Sequence, residues 1–190
     1  MKKLKGIFSK NHIPKQAGST FTSPQGTTMH EHDVNISCHS DDIDWVETHM
    51  LPVLSGLLNL RCYLYERDKP AGQLPLESLR ESVEQSQHTL LCFSKKYFAS
   101  SFNNYELLMA HFLDPAGQKN RILPISIDGC RPPVKYRSFF TLRWPQDSSS
   151  VVVQKRRLQL RNFWTSLLRS IQCGDDVLES VLTEICAWEI

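Results

Sequence analysis

The first candidates for chemistry are three carboxylates, Asp41, Asp42 and Asp44, which follow a short segment of alternating apolar residues. Carboxylate oxygens are ligands for Mg²⁺, and phosphoryl-accepting domains place such a cluster beside an aspartate that ends their third strand. This chain has Ser94 where that aspartate would stand. The sequence therefore argues against a phosphoryl-accepting magnesium site.

Other patterns of catalysis and metal binding are missing from the sequence. It contains no GxxxxGK[ST] phosphate loop, no GxSxG nucleophile turn and no HExxH zinc motif. Its six cysteines include no CxxC pair, and the neighbours Cys38 and His39 would point to opposite faces of a strand. We expect no metal, no cofactor, and cysteines kept reduced in the cytosol.

A charged loop, residues 66–73, is the best candidate for recognition. Its first seven residues are Glu66, Arg67, Asp68, Lys69, Pro70, Ala71 and Gly72. Proline and glycine restrict the backbone, so less freedom is lost when such a loop docks. The alternative is that Arg67 and Asp68 form a local ion pair that shapes the turn and contributes about 0–1 kcal/mol. Spacing alone favours that alternative.

The elements that must position these residues alternate between strand and helix. Strands are predicted at residues 33–38, 60–65, 89–94 and 121–127, and residues 128–144 are predicted to be irregular. Helices are predicted between the strands and over residues 152–171, with a kink at Pro52. Leu76, Leu79, Val83 and Ser86 are predicted to form the inner face of the second helix. This alternation predicts an α/β domain whose parallel sheet is covered on both faces.

The two ends of the chain differ from this body. Residues 1–30 hold five lysines and no acid, and are predicted to form a disordered basic tail. The tail is a solvated linker, a nucleic-acid arm or a tether to anionic membrane; the lack of arginine and of interleaved aromatics disfavours the arm. The tether would use lysines with inserted apolar side chains, chiefly Lys2, Lys3, Lys5, Ile7, Phe8 and Lys10. Residues 174–190 are predicted to form an amphipathic helix, which docks on its own domain or binds a partner.

The order and spacing of three motifs resemble the TIR (Toll/interleukin-1 receptor) domain family. HDVNISCHSDD, with Asp33, Val34, Ile36 and Ser37, is similar to box 1 of the family; ERDKPAG is similar to box 2 in its BB loop; and Phe163-Trp164 is similar to box 3. The similarity covers about residues 32–172, and the domain is assigned to residues 31–173. One departure is Ala71, where the family has proline before the box 2 glycine.

The resemblance implies a flavodoxin-like five-stranded parallel sheet with helices on both faces. It also implies homotypic association with the TIR domains of receptors and other adaptors, as a homo-oligomer and without nucleic acid, in innate immune and inflammatory signalling. Within the family the sequence is most similar to cytosolic Toll-pathway adaptors of the MAL/TIRAP kind. We therefore expect a non-enzymatic adaptor in the cytoplasm, held by its tail at phosphoinositide-containing membrane on the inner face of the plasma membrane.

Two further expectations concern the box 3 aromatics, from their spacing, and Glu106, from the resemblance. The helical spacing of Phe163 and Trp164 relative to Leu167 and Ile171 predicts that both aromatics are structural core residues. Some TIR proteins cleave NAD with a glutamate at the start of the helix after the third strand, and Glu106 occupies the matching place. The enzymatic alternative is thus an NAD glycohydrolase in which Glu106 stabilises an oxocarbenium ion.

Overall fold

The computed structural model describes residues 30–146 and 153–188. The predicted basic tail and its tether residues lie outside the described part of the chain. No helix within the described ranges is long and apolar enough to cross a bilayer.

Five parallel strands form one sheet in the order β2-β1-β3-β4-β5. They are β1 (His32–Ser37), β2 (Cys62–Leu64), β3 (Ser86–Phe93), β4 (Ile122–Ser126) and β5 (Leu142–Arg143). Helices connect and cover them, so the predicted flavodoxin-like fold is confirmed. Residues 128–144, predicted to be irregular, contain the short edge strand β5.

The helices follow the predicted alternation with local differences. They are α1 (Ile43–His49), α2 (Tyr65–Asp68), α3 (Pro75–Gln85), α4 (Lys95–Ala99), α5 (Ser101–Leu113), α6 (Val153–Ser170) and α7 (Asp175–Trp188). At the predicted kink, α1 ends and a π-helical segment (Pro52–Leu57) begins at the proline, which has no N–H to donate. The predicted helical position of Ser86 is wrong, because this residue begins β3 and pairs with His32 of β1.

Two apolar clusters lie on the two faces of the sheet. The larger one contains side chains of α1, the π-helical segment, α6 and α7, and the smaller one contains Leu91, Phe93, Tyr97, Leu107 and Tyr136. Helix α7 contributes buried side chains to the larger cluster, namely Leu178, Val181, Leu182 and Ile185. The predicted amphipathic C-terminal helix therefore packs on its own domain.

Candidate functional site at the sheet edge

The candidate recognition loop begins with one turn of helix. Residues 66–73 were predicted to be loop throughout, but residues 65–68 form α2, and the Lys69 N–H donates to the Tyr65 carbonyl at 2.9 Å. This turn brings the side chains of Arg67 and Asp68 back towards β2. The prediction missed it because a single helical turn is too short to show periodicity.

Arg67 and Asp68 together occupy the free edge of β2. The guanidinium donates to Asp68 from Nε and Nη2, both at 2.7 Å, and Nη2 also donates to the Cys62 carbonyl at 2.7 Å. The Asp68 carboxylate accepts the Leu64 N–H at 2.8 Å. Because β2 is at the edge of the sheet, its outer backbone groups have no neighbouring strand to bond with. The Arg67 and Asp68 side chains supply hydrogen bonds to two of these groups instead.

The pKa values of the pair reflect these contacts. Partial burial on its own raises the pKa of Asp68, but the hydrogen bonds from Arg67 and from the Leu64 N–H outweigh it and hold this pKa below its ordinary value. The hydrogen bond to Asp68 raises the pKa of Arg67. Both side chains are therefore charged at neutral pH and act mainly on each other.

The other two charges of the loop are also paired. Lys69 Nζ lies 2.6 Å from the Glu66 carboxylate and 5.2 Å from the centroid of the Tyr65 ring. The sequence suggested that Arg67, Asp68 and Lys69 project charge from the loop. The structure corrects this, since each of them has an opposite charge within the loop itself.

Beside its exposed, mutually paired charges, the loop also presents uncharged and apolar residues to solvent. Pro70, Ala71 and Gly72 are exposed, and Gly72 has a φ of 83°, a conformation that favours glycine. Just beyond them, Leu74 is 64% exposed and Leu76 is 52% exposed. The predicted inward position of Leu76 is wrong, because this residue lies in the first turn of α3, where the helix leaves the loop.

A hollow of about 440 Å³ lies beneath the loop. Its walls include Arg67, Asp68 and Pro70 on one side and Ser78 and Glu81 of α3 on the other. Across its mouth, Gln73 Nε2 donates to Glu81 at 2.6 Å. This bond ties the end of the loop to α3, and the hollow lies between the two.

Box 1 contributes two buried apolar residues and two polar residues that form an ion pair or hydrogen bonds. Val34 and Ile36 are buried, whereas Asp33 forms an ion pair of 2.8 Å with Arg61. Ser37 Oγ donates to Glu106 at 2.5 Å and lies 2.9 Å from the Tyr97 hydroxyl. The box 1 polar residues therefore face the interior or a neighbouring strand.

Glu106 lies in the second turn of α5, and not at the start of that helix as its match to the NAD-cleaving proteins implied. It is 2% exposed, and its second oxygen accepts a hydrogen bond from Asn35 Nδ2 at 2.8 Å. Burial raises its pKa, and the bonds from Ser37 and Asn35 partly offset that rise. Neither of the two hollows described in the structure is lined by Glu106. The sequence reasoning missed Asn35 and Tyr97, whose roles depend on contacts between distant elements.

The box 3 aromatics belong to the larger core cluster. Phe163 is 4% exposed and Trp164 is 1% exposed. The Trp144 ring lies 5.1 Å from the Phe163 ring, edge to face, and 6.3 Å from the Trp164 ring. Aromatic packing of this kind joins α6 to the end of β5.

A parallel five-stranded sheet with helices on both faces defines an α/β fold of the flavodoxin-like type. The chain belongs to the TIR domain family, since the model of that family, described as TIR domain, matches residues 34–154. TIR domains associate with one another, and the relatives of this chain are receptors of innate immune signalling.

Two of those relatives are Toll-like receptors. Toll-like receptor 6 of Bos taurus is 28% identical over 150 residues, which cover 72% of this chain and 17% of the receptor. Toll-like receptor 2 type-2 of Gallus gallus is 30% identical over 82 residues, or 43% of this chain and 10% of the receptor. The chain thus spans less than a fifth of the length of either receptor.

Solved structures agree in fold. The TIR domain of the Toll-related receptor TRR-2 from Hydra magnipapillata has a TM-score of 0.57 and 23% identity, covering 74% of this chain and 98% of that domain. A metazoan TIR-STING receptor from C. gigas in complex with 2',3'-cGAMP has a TM-score of 0.59 and 20% identity, covering 79% of this chain and 42% of the receptor. Identities this low establish the shared fold alone.

Proposed function

We propose that this protein is a cytosolic adaptor that relays Toll-like or interleukin-1 receptor signalling through TIR–TIR association. Its proposed docking surface is the loop of residues 66–72 with the adjoining Leu74 and Leu76. The observation that carries the proposal is the pairing of all four loop charges with one another, next to the exposed side chains of Leu74 and Leu76. The motif resemblance to adaptors of the MAL/TIRAP kind supports the adaptor role.

The chemistry of this surface favours a protein partner with an apolar recess. Pro70, Leu74 and Leu76 offer apolar area, and burying such area stabilises a complex. The bonds that hold Arg67 and Asp68 on β2 keep the loop in one shape before docking, which reduces the entropy lost on binding. Recruitment to a receptor cluster would raise the local concentration, so that weak contacts suffice to build an oligomer.

A pull-down against a panel of receptor and adaptor TIR domains tests this proposal. Leu74→Ser, Leu76→Ser and Pro70→His are expected to weaken capture, with a loss of about tenfold when both leucines are changed. The matched control is Leu158→Ser on α6, which is similarly exposed at 58%. Circular dichroism should be unchanged in every variant. Undiminished capture by the loop variants would remove the loop from the account.

Charge reversal at Asp68 is a different kind of perturbation. A lysine there would face Arg67 and leave the Leu64 N–H without its acceptor. We therefore expect Asp68→Lys to weaken TIR–TIR capture by disordering the loop, whereas the leucine variants remove only the contact surface. Hydrogen exchange of the loop amides separates the two effects.

The basic tail is proposed to tether the protein to anionic membrane, with Lys2, Lys3, Lys5 and Lys10 near the lipid headgroups and Ile7 and Phe8 inserted. The support is its sequence alone, five lysines without an acid. Changing the four tether lysines to glutamine should release the protein from phosphoinositide-containing liposomes. Binding retained by this variant would refute the tether.

The second candidate function is NAD cleavage by Glu106. A catalytic carboxylate must touch the ribose, whereas here both oxygens are engaged by Asn35 and Ser37 inside the domain. That contact set favours a structural role for Glu106. Incubation with NAD and detection of free nicotinamide, with Glu106→Gln as the control, tests the alternative. Turnover that disappears in Glu106→Gln would establish an enzyme.

A further inference from the structure

The connector between β4 and β5, residues 127–141, forms a second ordered surface. Parallel strands require it to run from the carboxyl end of β4 to the amino end of β5. Along that path Tyr136 is 4% exposed and Phe139 packs against the smaller apolar cluster. The Phe98 ring of α4 stacks on Tyr136, with 6.2 Å between ring centroids. The connector is therefore anchored on the face of the sheet that α4 and α5 also cover.

Cations dominate the outer side of this connector. Arg131, Lys135 and Arg137 are exposed, and Asp128 is the only acid in the segment. The Asp128 carboxylate accepts the backbone N–H groups of Lys95 and Cys130, which places the exposed Lys95 beside the connector. Within the described residues, none of these four cations forms an ion pair.

A fifth cation, Arg143, lies on the same side of the sheet. Side chains of a strand alternate between faces. Leu142 packs against the larger cluster on the opposite face, so the exposed Arg143 projects to the connector's face. In the part of the chain that the structure describes, it too has no acidic partner within ion-pair distance.

Protruding apolar side chains stand among these cations. Phe140 is 84% exposed, Val134 is 76% exposed and Phe112 of α5 is 75% exposed, and these are the three most exposed large apolar residues among those described. His111, next to Phe112, contacts Phe139 with 5.4 Å between ring centroids, so α5 adjoins the connector. We define the cationic face as Lys95, Arg131, Lys135, Arg137 and Arg143 together with Val134, Phe140 and Phe112.

We propose that the cationic face binds an anionic lipid bilayer, independently of the N-terminal tail. Cations that lack acidic partners are attracted to the negative leaflet, and an aromatic side chain between them suits the boundary between headgroups and acyl chains. The core of a stable protein interface is depleted of charged residues, whereas five exposed cations belong to this face together with its three protruding apolar side chains. The chemistry therefore favours lipid over a protein partner.

This orientation would leave the proposed docking surface available. The BB loop follows β2 at one edge of the sheet, whereas the connector leads into β5 at the other edge. A protein lying on its cationic face could thus bind lipid and another TIR domain at the same time. The proposal does not depend on TIR–TIR association, and either can fail alone.

Co-sedimentation of the full chain with vesicles tests the cationic face. One set of vesicles is phosphatidylcholine alone, and the other is phosphatidylcholine mixed with phosphatidylserine. Each cation near an anionic leaflet contributes about fivefold to partitioning, so changing Arg131, Lys135, Arg137 and Arg143 to glutamine should lower binding to the anionic vesicles at least about twentyfold. The same loss should appear whether or not the tail lysines are also changed to glutamine.

A matched variant controls for total charge. Arg80, Lys155, Arg161 and Arg169 are four exposed cations on helices α3 and α6, outside the cationic face, and changing them to glutamine removes the same net charge. We expect this control to lose much less binding than the connector variant. Equal losses in both variants, or loss only when the tail is changed, would overturn the proposal.

Insertion is tested by placing a tryptophan at the membrane boundary. Phe140→Trp should show stronger quenching by brominated lipid than Leu74→Trp, which places the indole on the BB loop side. Absence of extra quenching in Phe140→Trp would contradict insertion. If the connector variants bind vesicles normally but lose TIR capture, the cationic face is a protein contact and the lipid proposal is wrong.

Discussion

The BB loop and the β4–β5 connector are both exposed and charged, yet their charges are arranged in opposite ways. In the BB loop, Arg67 and Asp68 satisfy each other and the edge of β2, and Lys69 pairs with Glu66. In the connector, the cations face solvent while aromatic side chains hold the backbone from below. The number of charges therefore does not by itself identify a recognition surface. A charge that is paired with an opposite charge of the same chain shapes the fold, whereas an unpaired charge is available to a partner.

The largest effect on the free energy of unfolding is predicted at Tyr136, which anchors the connector on the sheet. Tyr136→Ala should lower the free energy of unfolding by about 3 kcal/mol, because it leaves a cavity beneath the connector. Tyr136→Phe is the control, and since the buried hydroxyl has no hydrogen-bond partner in the described structure, it should cost little. Urea denaturation measures both. A loss below about 1 kcal/mol in Tyr136→Ala would mean that the connector is not anchored there.

A smaller effect is predicted for Asp68, which together with Arg67 covers the free edge of β2. Asp68→Ala should cost about 1–3 kcal/mol, because the Leu64 N–H loses its acceptor and Arg67 loses its partner. Hydrogen exchange at the Leu64 amide should accelerate. Asp68→Asn retains an oxygen that can accept this N–H, so it should exchange more slowly than Asp68→Ala. Identical exchange in wild type and Asp68→Ala would show that Asp68 does not protect the edge of β2.

The hydrogen bonds of Asp68 also predict that the stability of the folded chain depends on pH. The pKa of Asp68 is lower in the folded chain than its ordinary value, so its contribution to stability is present above the ordinary carboxyl pKa, about 3.9. That contribution is lost as the pH falls through the lowered pKa. Stability measured from neutral to acid pH should thus fall less steeply in Asp68→Asn than in wild type. Parallel curves would contradict the assigned role.

The smallest effects on stability are predicted for the connector cations. Changing any one of Arg131, Lys135, Arg137 or Arg143 to glutamine should alter the free energy of unfolding by no more than about 0.5 kcal/mol, since none has an ion-pair partner among the described residues. Thermal melts measure this directly. A larger loss would show that the connector charges, like those of the BB loop, serve the fold.

The sequence predicted the fold because alternating apolar patterns are local signals. The buried strand β3 and the long helix α6 appear as continuous or periodic apolar runs, and the loop after β2 is marked by its proline and glycine. The two-residue strand β5 gives no such signal. It exists only because it pairs with Ile125 and Ser126 of β4.

The details of the site depend on long-range geometry that no local pattern contains. Whether Arg67 pairs with Asp68 is suggested by sequence, but the placement of both on an unpaired strand edge follows from strand order. The exposure of Leu76 likewise depends on where α3 begins. Glu106 could be matched by position to a catalytic residue, while its burial against Asn35 and Ser37 required the packing of α5 on the sheet.

Sedimentation velocity of the purified chain over a range of concentrations measures whether the exposed apolar side chains at the BB loop carry association. Wild type should shift to faster-sedimenting species as concentration rises. The Leu74→Ser, Leu76→Ser double variant should need about tenfold higher concentration for the same shift, with an unchanged melting temperature, while Leu158→Ser should behave as wild type. Association of the double variant equal to that of wild type, or a wild type that stays monomeric at every concentration, would contradict the account.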